Sequence, residues 1–215
     1  MKHSGYSRFE KSLARLLSYT MNEQKAESCT ESLIDNLGLG AIFRCSSLDE
    51  MMATEGVSKN TAVMLKLVSA LYSRSITDMV SVGKKYSDYE IDRFLVGLYL
   101  GSSFETVYML SFDSADRLVG VDMLGEGTEV SSDTYPRKML ATAVRRGAKK
   151  VILAHNHPRS TALPSKQDIS STERLYEVLS SGGVTLICHC VVCDFSLYRI
   201  NPLDEDDKLD NSANA

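Results

Sequence analysis

The chain has no tryptophan, four prolines and only four histidines in 215 residues. It has no apolar run near the roughly 20 residues that a membrane-crossing helix needs. Its opening stretch, MKHSGYSRFEKS, lacks the apolar core of a secretory leader. Both absences point to the cytoplasm and away from a membrane partner. Thirteen glycines and four prolines are too few for a collagen-like repeat. Cysteines are few and odd in number: Cys29, Cys45, Cys188, Cys190 and Cys193. In a reducing compartment this argues against a disulfide framework. An excess of positive charge is also missing. The 24 basic and 28 acidic side chains give −4, and residues 203–215 supply all of it with five acids and one lysine. The rest balances at 23 of each sign, so the body has no electrostatic footprint for strong non-specific nucleic-acid binding.

What is present is ordinary globular composition, 43% apolar and 24% charged. The length suits one large domain or two small ones. Residues 1–75 read as helical. Phe9, Leu13, Leu16 and Leu17 recur at helical spacing, and Glu27 to Leu37 forms a second helix stopped by the glycines of NLGLG. Ser46 or Ser47 can cap a short helix at LDEMMAT. Gly56-Val57-Ser58 is a turn, followed by a long amphipathic helix with Val63, Leu65, Leu67, Val68 and Leu71 expected inward. Residues 76–88 form a connector. Residues 89–202 begin with a helix, DYEIDRFLVGLYLG, and then change period. FETVYMLSF alternates, the turn DSAD follows, and RLVGVDMLG is a second strand, which together signal a hairpin. A helix opening at Pro136, a buried strand KKVILAH, a helix from Ser165 to Ser181, and strands VTLICHCVVCD and FSLYRI complete a mixed α/β layer order. Residues 203–215 read as a disordered acidic tail.

Three of the four histidines fall in the second domain. His155 and His157 lie two residues apart just after the apolar strand, so an extended backbone projects both to one side, with Asn156 opposite. Pro158 prevents a helix directly behind them. Asp168 follows in the first turn of the next helix, three residues after Ser165. Two imidazoles and a carboxylate form a donor set suited to zinc, and three protein ligands leave the open position of a catalytic site. Such an ion brings bound water to a pKa of about 7, and the reaction then requires a general base. Glu105, at the second position of the first strand, is the candidate. Each residue also has a plainer reading. Ser165 and Asp168 make an S-x-x-D capping box, the histidines make a surface pair, and Glu105 is a strand-end carboxylate. The cap and the ligand readings are compatible.

The spacing H-x-H, ten residues, then D, with S-x-x-D inside it, resembles the JAMM motif of the MPN-domain metalloproteases. The string VILAHNHPRSTALPSKQDISSTERL, with FETVYMLSFDSADRL upstream, is similar to the bacterial RadC family, a group often labelled DNA repair proteins. Ala154 to Pro158, Pro164-Ser165 and Asp168 carry the match. The resemblance implies an N-terminal helical, helix-hairpin-helix-like domain joined to a cytidine-deaminase-like mixed-sheet domain. It implies Zn2+ held by His155, His157 and Asp168, Glu105 as acid/base, and Ser165 hydrogen-bonding toward the oxyanion. In related enzymes the substrate is a peptide or isopeptide. Three positions bear on the match. Arg159-Ser160 replaces the usual Ser-Gly after HNHP, and Cys188-His189 replaces the usual Asp-His. Thr134 to Arg137 keep the helix entry, preceded by Gly127-Thr128.

Two further features stay open. CHCVVC invites a second metal, but strand alternation puts Cys188 and Cys190 on one face and His189 and Cys193 on the other. The turn Gly56-Val57-Ser58 resembles the phosphate-binding turn of a helix-hairpin-helix with serine in place of its second glycine. With nine basic and eight acidic residues in the first 75, and Lys59 and Lys66 nearby, it suits weak DNA contact or a packing module. The readings are therefore a zinc-dependent hydrolase, a DNA-associated repair module whose second domain is a scaffold, or a zinc protein without turnover. A scaffold needs no open coordination position, which argues against the last. An oligomer remains open.

Overall fold

A computed structural model of the chain describes residues 8–37, 47–102, 104–126, 135–158 and 160–202. The acidic tail, the glycines of NLGLG, Gly127-Thr128, Thr134 and Arg159 lie outside these residues. The chain divides into two compact units between Tyr72 and Ser73, a point inside the helix Lys59–Thr77.

The first unit is helical: α1 (Arg8–Leu17), α2 (Glu23–Leu37), α3 (Leu48–Met52) and the leading part of α4 (Lys59–Thr77). Leu13 and Leu17 of α1 meet Ala26, Cys29 and Leu33 of α2, and Met51, Ala62 and Leu65 close the core. Ser47 starts α3 with a reciprocal capping box to Glu50. Gly56 takes a positive φ of 83° at the turn into α4, a conformation that suits glycine. One expectation is corrected here: Leu67 and Leu71 do not point inward but are 58% and 69% exposed. The buried stripe of α4 runs through Thr61, Ala62, Leu65 and Ser69. Leu67 stands two residues past Leu65, and at about 100° per residue it falls on the far side of the helix.

The second unit is built on a five-stranded sheet of order β2-β1-β3-β4-β5. Its elements are α5 (Asp88–Tyr99), β1 (Thr106–Phe112), β2 (Leu118–Glu126), α6 (Tyr135–Arg146), β3 (Lys150–Asn156), α7 (Lys166–Ser181), β4 (Thr185–Cys193) and β5 (Ser196–Ile200). This is the α/β order read from the sequence. β1 pairs antiparallel with β2 and β3, β4 runs parallel to β3, and β5 returns antiparallel to β4. The parallel pair is joined through α7, as a parallel connection requires.

The sheet is covered on both faces. Val107, Met109, Val151 and Leu153 share one cluster with Met139 and Ala143 of α6 and Leu175 and Leu179 of α7. Leu110, Phe112, Ile152, Ala154, Cys188, Cys190 and Val192 share the other with Ile91, Phe94, Leu95 and Tyr99 of α5. β3 is therefore buried from Val151 to Asn156, and its sequence reads as an unbroken apolar run before the first histidine. On β1, alternation starts at Thr106 rather than at Phe104, which is exposed.

Close packing of α5 on the end of α4 depends on a glycine. A Cβ built on Gly97 would lie 2.7 Å from Ile76 Cγ2 and 2.9 Å from its Cβ. The Ser73 hydroxyl also donates to the Gly97 carbonyl at 2.7 Å. Ile76 is β-branched and buried, so it has little room to move aside. Gly97→Ala should destabilise the protein by about 1–3 kcal/mol despite its better helix propensity. In an Ile76→Ala background the same change should become neutral or stabilising. Denaturant unfolding of the four proteins checks both signs.

Candidate metal centre

The centre forms where β3 ends. His155 is its penultimate residue and His157 lies just beyond it. His155 shares a sheet face with Val107, its partner on β1, and with Leu153, and so faces α7. Asp168 reaches the same point from the first turn of α7. His155 Nε2 lies 2.9 Å from His157 Nε2 and 3.2 Å from Asp168 Oδ1. His157 Nε2 lies 3.4 Å from Asp168 Oδ2. Among the described residues, these three are the group of His, Cys, Asp and Glu side chains gathered as ion donors, with all ligand atoms within 4.8 Å of one another. The His155 side chain is 3% exposed, those of His157 and Asp168 18% and 16%. The cluster is thus closed on the sheet side and open toward solvent.

Both readings of Ser165 and Asp168 meet in one geometry. Ser165 is the N-cap of α7, and its hydroxyl accepts from the Asp168 amide at 3.1 Å. Asp168 Oδ2 accepts from the Ser165 amide at 2.7 Å and from its hydroxyl at 2.6 Å. The helix start is thereby fixed, and Oδ1 is left to face His155. Partial burial raises the Asp168 carboxyl, but the hydrogen bond and charge of His155, with the Ser165 donors, hold it well below the usual carboxylate range.

The donors fit zinc. Bonds of about 2.0–2.1 Å at a tetrahedral ion place ligand atoms about 3.3 Å apart, close to the 2.9 and 3.2 Å that separate His155 Nε2 from His157 Nε2 and Asp168 Oδ1. The ring nitrogens also fit. His157 Nδ1 donates to the Thr161 carbonyl at 3.1 Å, which leaves its Nε2 as a lone pair aimed at His155. His155 Nδ1 lies 2.7 Å from His189 Nε2. His189 on β4 is buried, and that burial, followed by its neighbour His155, pushes its pKa well below the ordinary value against the pull of Asp168.

Glu105 directly precedes β1 and is half-buried. Glu105 lies two residues before Val107, which β1 pairs with His155, and it is not among the residues gathered as ion donors. The chain there is held by Asn156, the residue between the two histidines. Asn156 Oδ1 accepts from the Thr106 amide at 2.8 Å, and its Nδ2 donates to the Phe104 carbonyl at 3.0 Å. The two residues flanking Glu105 are thus clamped to the strand that carries the histidines. Strand alternation sets Asn156 opposite the imidazoles, and its place between them is the sequence signal for this clamp. Thr172, one turn after Asp168 on α7, was not foreseen. From the other face the Tyr99 hydroxyl donates to the Ala154 carbonyl at 2.5 Å and steadies β3 just before His155.

The cysteines separate as alternation requires. Cys188 and Cys190 place their sulfurs 3.7 Å apart on the α5 face. The hydrogen bond from Cys190, aided by Arg199, lowers the Cys188 pKa against its burial. Cys193 lies on the opposite face, and its thiol donates to the Ser160 carbonyl at 3.0 Å. No helix among the described residues is long and apolar enough to cross a membrane.

Comparison with known proteins agrees with this architecture. A family model described as a RadC-like JAB domain matches residues 87–201. A UPF0758 protein of Shewanella loihica is 32% identical over 184 residues, which cover 85% of this chain and 81% of the relative. UPF0758 proteins of a Janthinobacterium species and of Fusobacterium nucleatum are 29% and 28% identical, over 86% and 90% of this chain and 84% and 87% of their own lengths.

The Asn156 clamp yields a direct test. Asn156→Ala removes both hydrogen bonds inside a buried site and should cost about 1–3 kcal/mol of stability. Exchange of the Thr106 amide should accelerate more than that of amides in β4. Native-state hydrogen exchange measures both.

Proposed function

The chain belongs to the RadC family through its RadC-like JAB domain, and from that premise we propose that it is a zinc-dependent hydrolase of JAMM type that cleaves an amide or isopeptide bond with water. The observation that carries this reading is the convergence of His155 Nε2, His157 Nε2 and Asp168 Oδ1 at a partly open strand end. These three residues hold the ion. When bound, zinc polarises a carbonyl oxygen and brings coordinated water to a pKa of about 7.

The remaining work belongs to the chain. Glu105 accepts the proton of the attacking water and returns it to the leaving nitrogen. The Asn156 clamp supports this role by fixing the backbone on each side of Glu105. Ser165 holds Asp168 in orientation. Its hydroxyl hydrogen, once released from Asp168 Oδ2, serves the oxyanion that develops on the substrate carbonyl. The substrate is a peptide or isopeptide, and the enzyme works in the cytoplasm. A DNA-contact role for the first unit gains no support at the start of α4. There the Ser58 hydroxyl already occupies the Thr61 amide at 3.2 Å and contacts the Thr61 hydroxyl at 2.8 Å.

The purified full chain should carry one zinc ion per molecule by elemental analysis, and His155→Ala with His157→Ala should lose it. Glu105→Gln should keep the metal yet slow hydrolysis of a peptide- or isopeptide-linked reporter by about 10²–10⁴-fold. Equal rates for Glu105→Gln and wild type would remove Glu105 from the mechanism, and a wild-type chain that takes up no zinc would remove the site itself.

A further inference from the structure

His189 and Thr172 lie outside the donor set but are tied to it by hydrogen bonds that end on a main-chain carbonyl. The Thr172 hydroxyl has one hydrogen, and it goes to the Asp168 main-chain carbonyl at 2.6 Å, an acceptor only. With its hydrogen on that carbonyl, Thr172 Oγ1 accepts from His189 Nδ1, 2.6 Å away. With that hydrogen on Nδ1, His189 Nε2 presents a lone pair, and His155 Nδ1 at 2.7 Å is the group that donates to it. The consequence reaches the centre: His155 keeps a hydrogen on Nδ1, so Nε2, 3.2 Å from Asp168 Oδ1, is the nitrogen that gives up its own hydrogen when an ion binds.

We propose that His189 and Thr172 are positioning residues that lock His155 in its Nδ1–H form, so that Nε2 is ready to ligate the ion. The inference rests on the zinc reading above and adds two residues to it. The chain of contacts closes on itself. It leaves His155 on β3, crosses His189 on β4 and Thr172 on α7, and ends on Asp168, the ligand that His155 itself faces. Two ligands from separate elements are held at one spacing by a ring of buried groups, since His155, Thr172 and His189 are 2%, 0% and 4% exposed. A hydrogen bond to the rear nitrogen of a metal-binding imidazole sets its tautomer and ring angle. His157 obtains the same service from a single carbonyl, that of Thr161. His155, deeper in the sheet, needs side chains to supply it.

The test uses the full-length, metal-stripped protein labelled with nitrogen-15. Long-range proton–nitrogen spectra should show a hydrogen held on His155 Nδ1. In Thr172→Val, which replaces the hydroxyl with a methyl, that hydrogen should lose its fixed place. Competition of zinc alone against a chromophoric chelator should show dissociation constants roughly 10- to 100-fold higher for Thr172→Val and His189→Leu. Thr172→Ser and His189→Gln, which keep an acceptor and a donor in place, should stay within a few-fold of wild type. Should His189→Leu fail to fold, Thr172→Val decides alone. The proposal is overturned if wild-type His155 carries no hydrogen on Nδ1. It is also overturned if Thr172→Val binds zinc like wild type while melting earlier, since the two residues would then be packing only. A wild type that binds no zinc refutes the hydrolase reading, and the spectrum of the metal-free protein still decides the lock.

Discussion

The Asp168 carboxylate stands at the point where the fold and the chemistry meet. One oxygen takes both donors of Ser165 and so fixes where α7 begins. The other faces His155 on a strand reached through an entirely separate segment. A helix start is a soft feature, able to fray by a residue in either direction, and a donor cluster tolerates no such freedom. Capping by the same side chain that faces His155 removes it. Partial burial makes that carboxylate costly, and the imidazole and the cap donors repay the cost by holding it ionised.

The sheet places the rest. β3 is central and covered on both faces, so the chain leaves the core only where His155 and His157 begin. Alternation then sorts side chains without exception along this stretch: Ile152 and Ala154 face α5, Leu153 and His155 face α7. The parallel pairing with β4 sets Leu153 across from His189, after a register shift between Val151 and Ile152. Without that shift the histidine of β4 would lie on the wrong face and the thiols of Cys188 and Cys190 would point at the imidazoles instead. Asn156 uses the opposite direction of the pleat to draw the start of β1 against β3.

Membership of the RadC family sits well with these features, since the matched region, residues 87–201, runs from the cap of α5 to the last strand and contains every residue of the centre. The relatives share about three residues in ten with this chain over most of its length. The positions that differ from the expected motif, Arg159-Ser160 and Cys188, replace none of the three donors. Cys188 turns to the α5 side, toward Arg199, whose guanidinium lies 3.8 Å from the sulfur. A change from the usual acid at this position therefore alters the buried network under α5 and leaves the donor face intact.

Much of this protein was legible before any coordinates. The period of apolar residues set the order of strands and helices, because burial on one side of a strand or helix leaves a repeat that sequence alone displays. S-x-x-D marked the start of α7, and H-x-H after an apolar run marked a strand end. Local physics stops there. Leu67 and Leu71 were expected inward, and periodicity could not tell which of two apolar stripes on α4 the core would take. Whether Glu105 comes near His157 depends on strand pairing between segments fifty residues apart, and the sequence carries no short-range record of it. The same holds for His189 and Thr172: their hydrogens acquire a direction only when β3, β4 and α7 meet. The sequence by itself determined the elements and the donor types, because those follow from contacts within a few residues. Tertiary structure alone decided which nitrogen faces which oxygen, because that is settled by register and packing between distant parts of the chain.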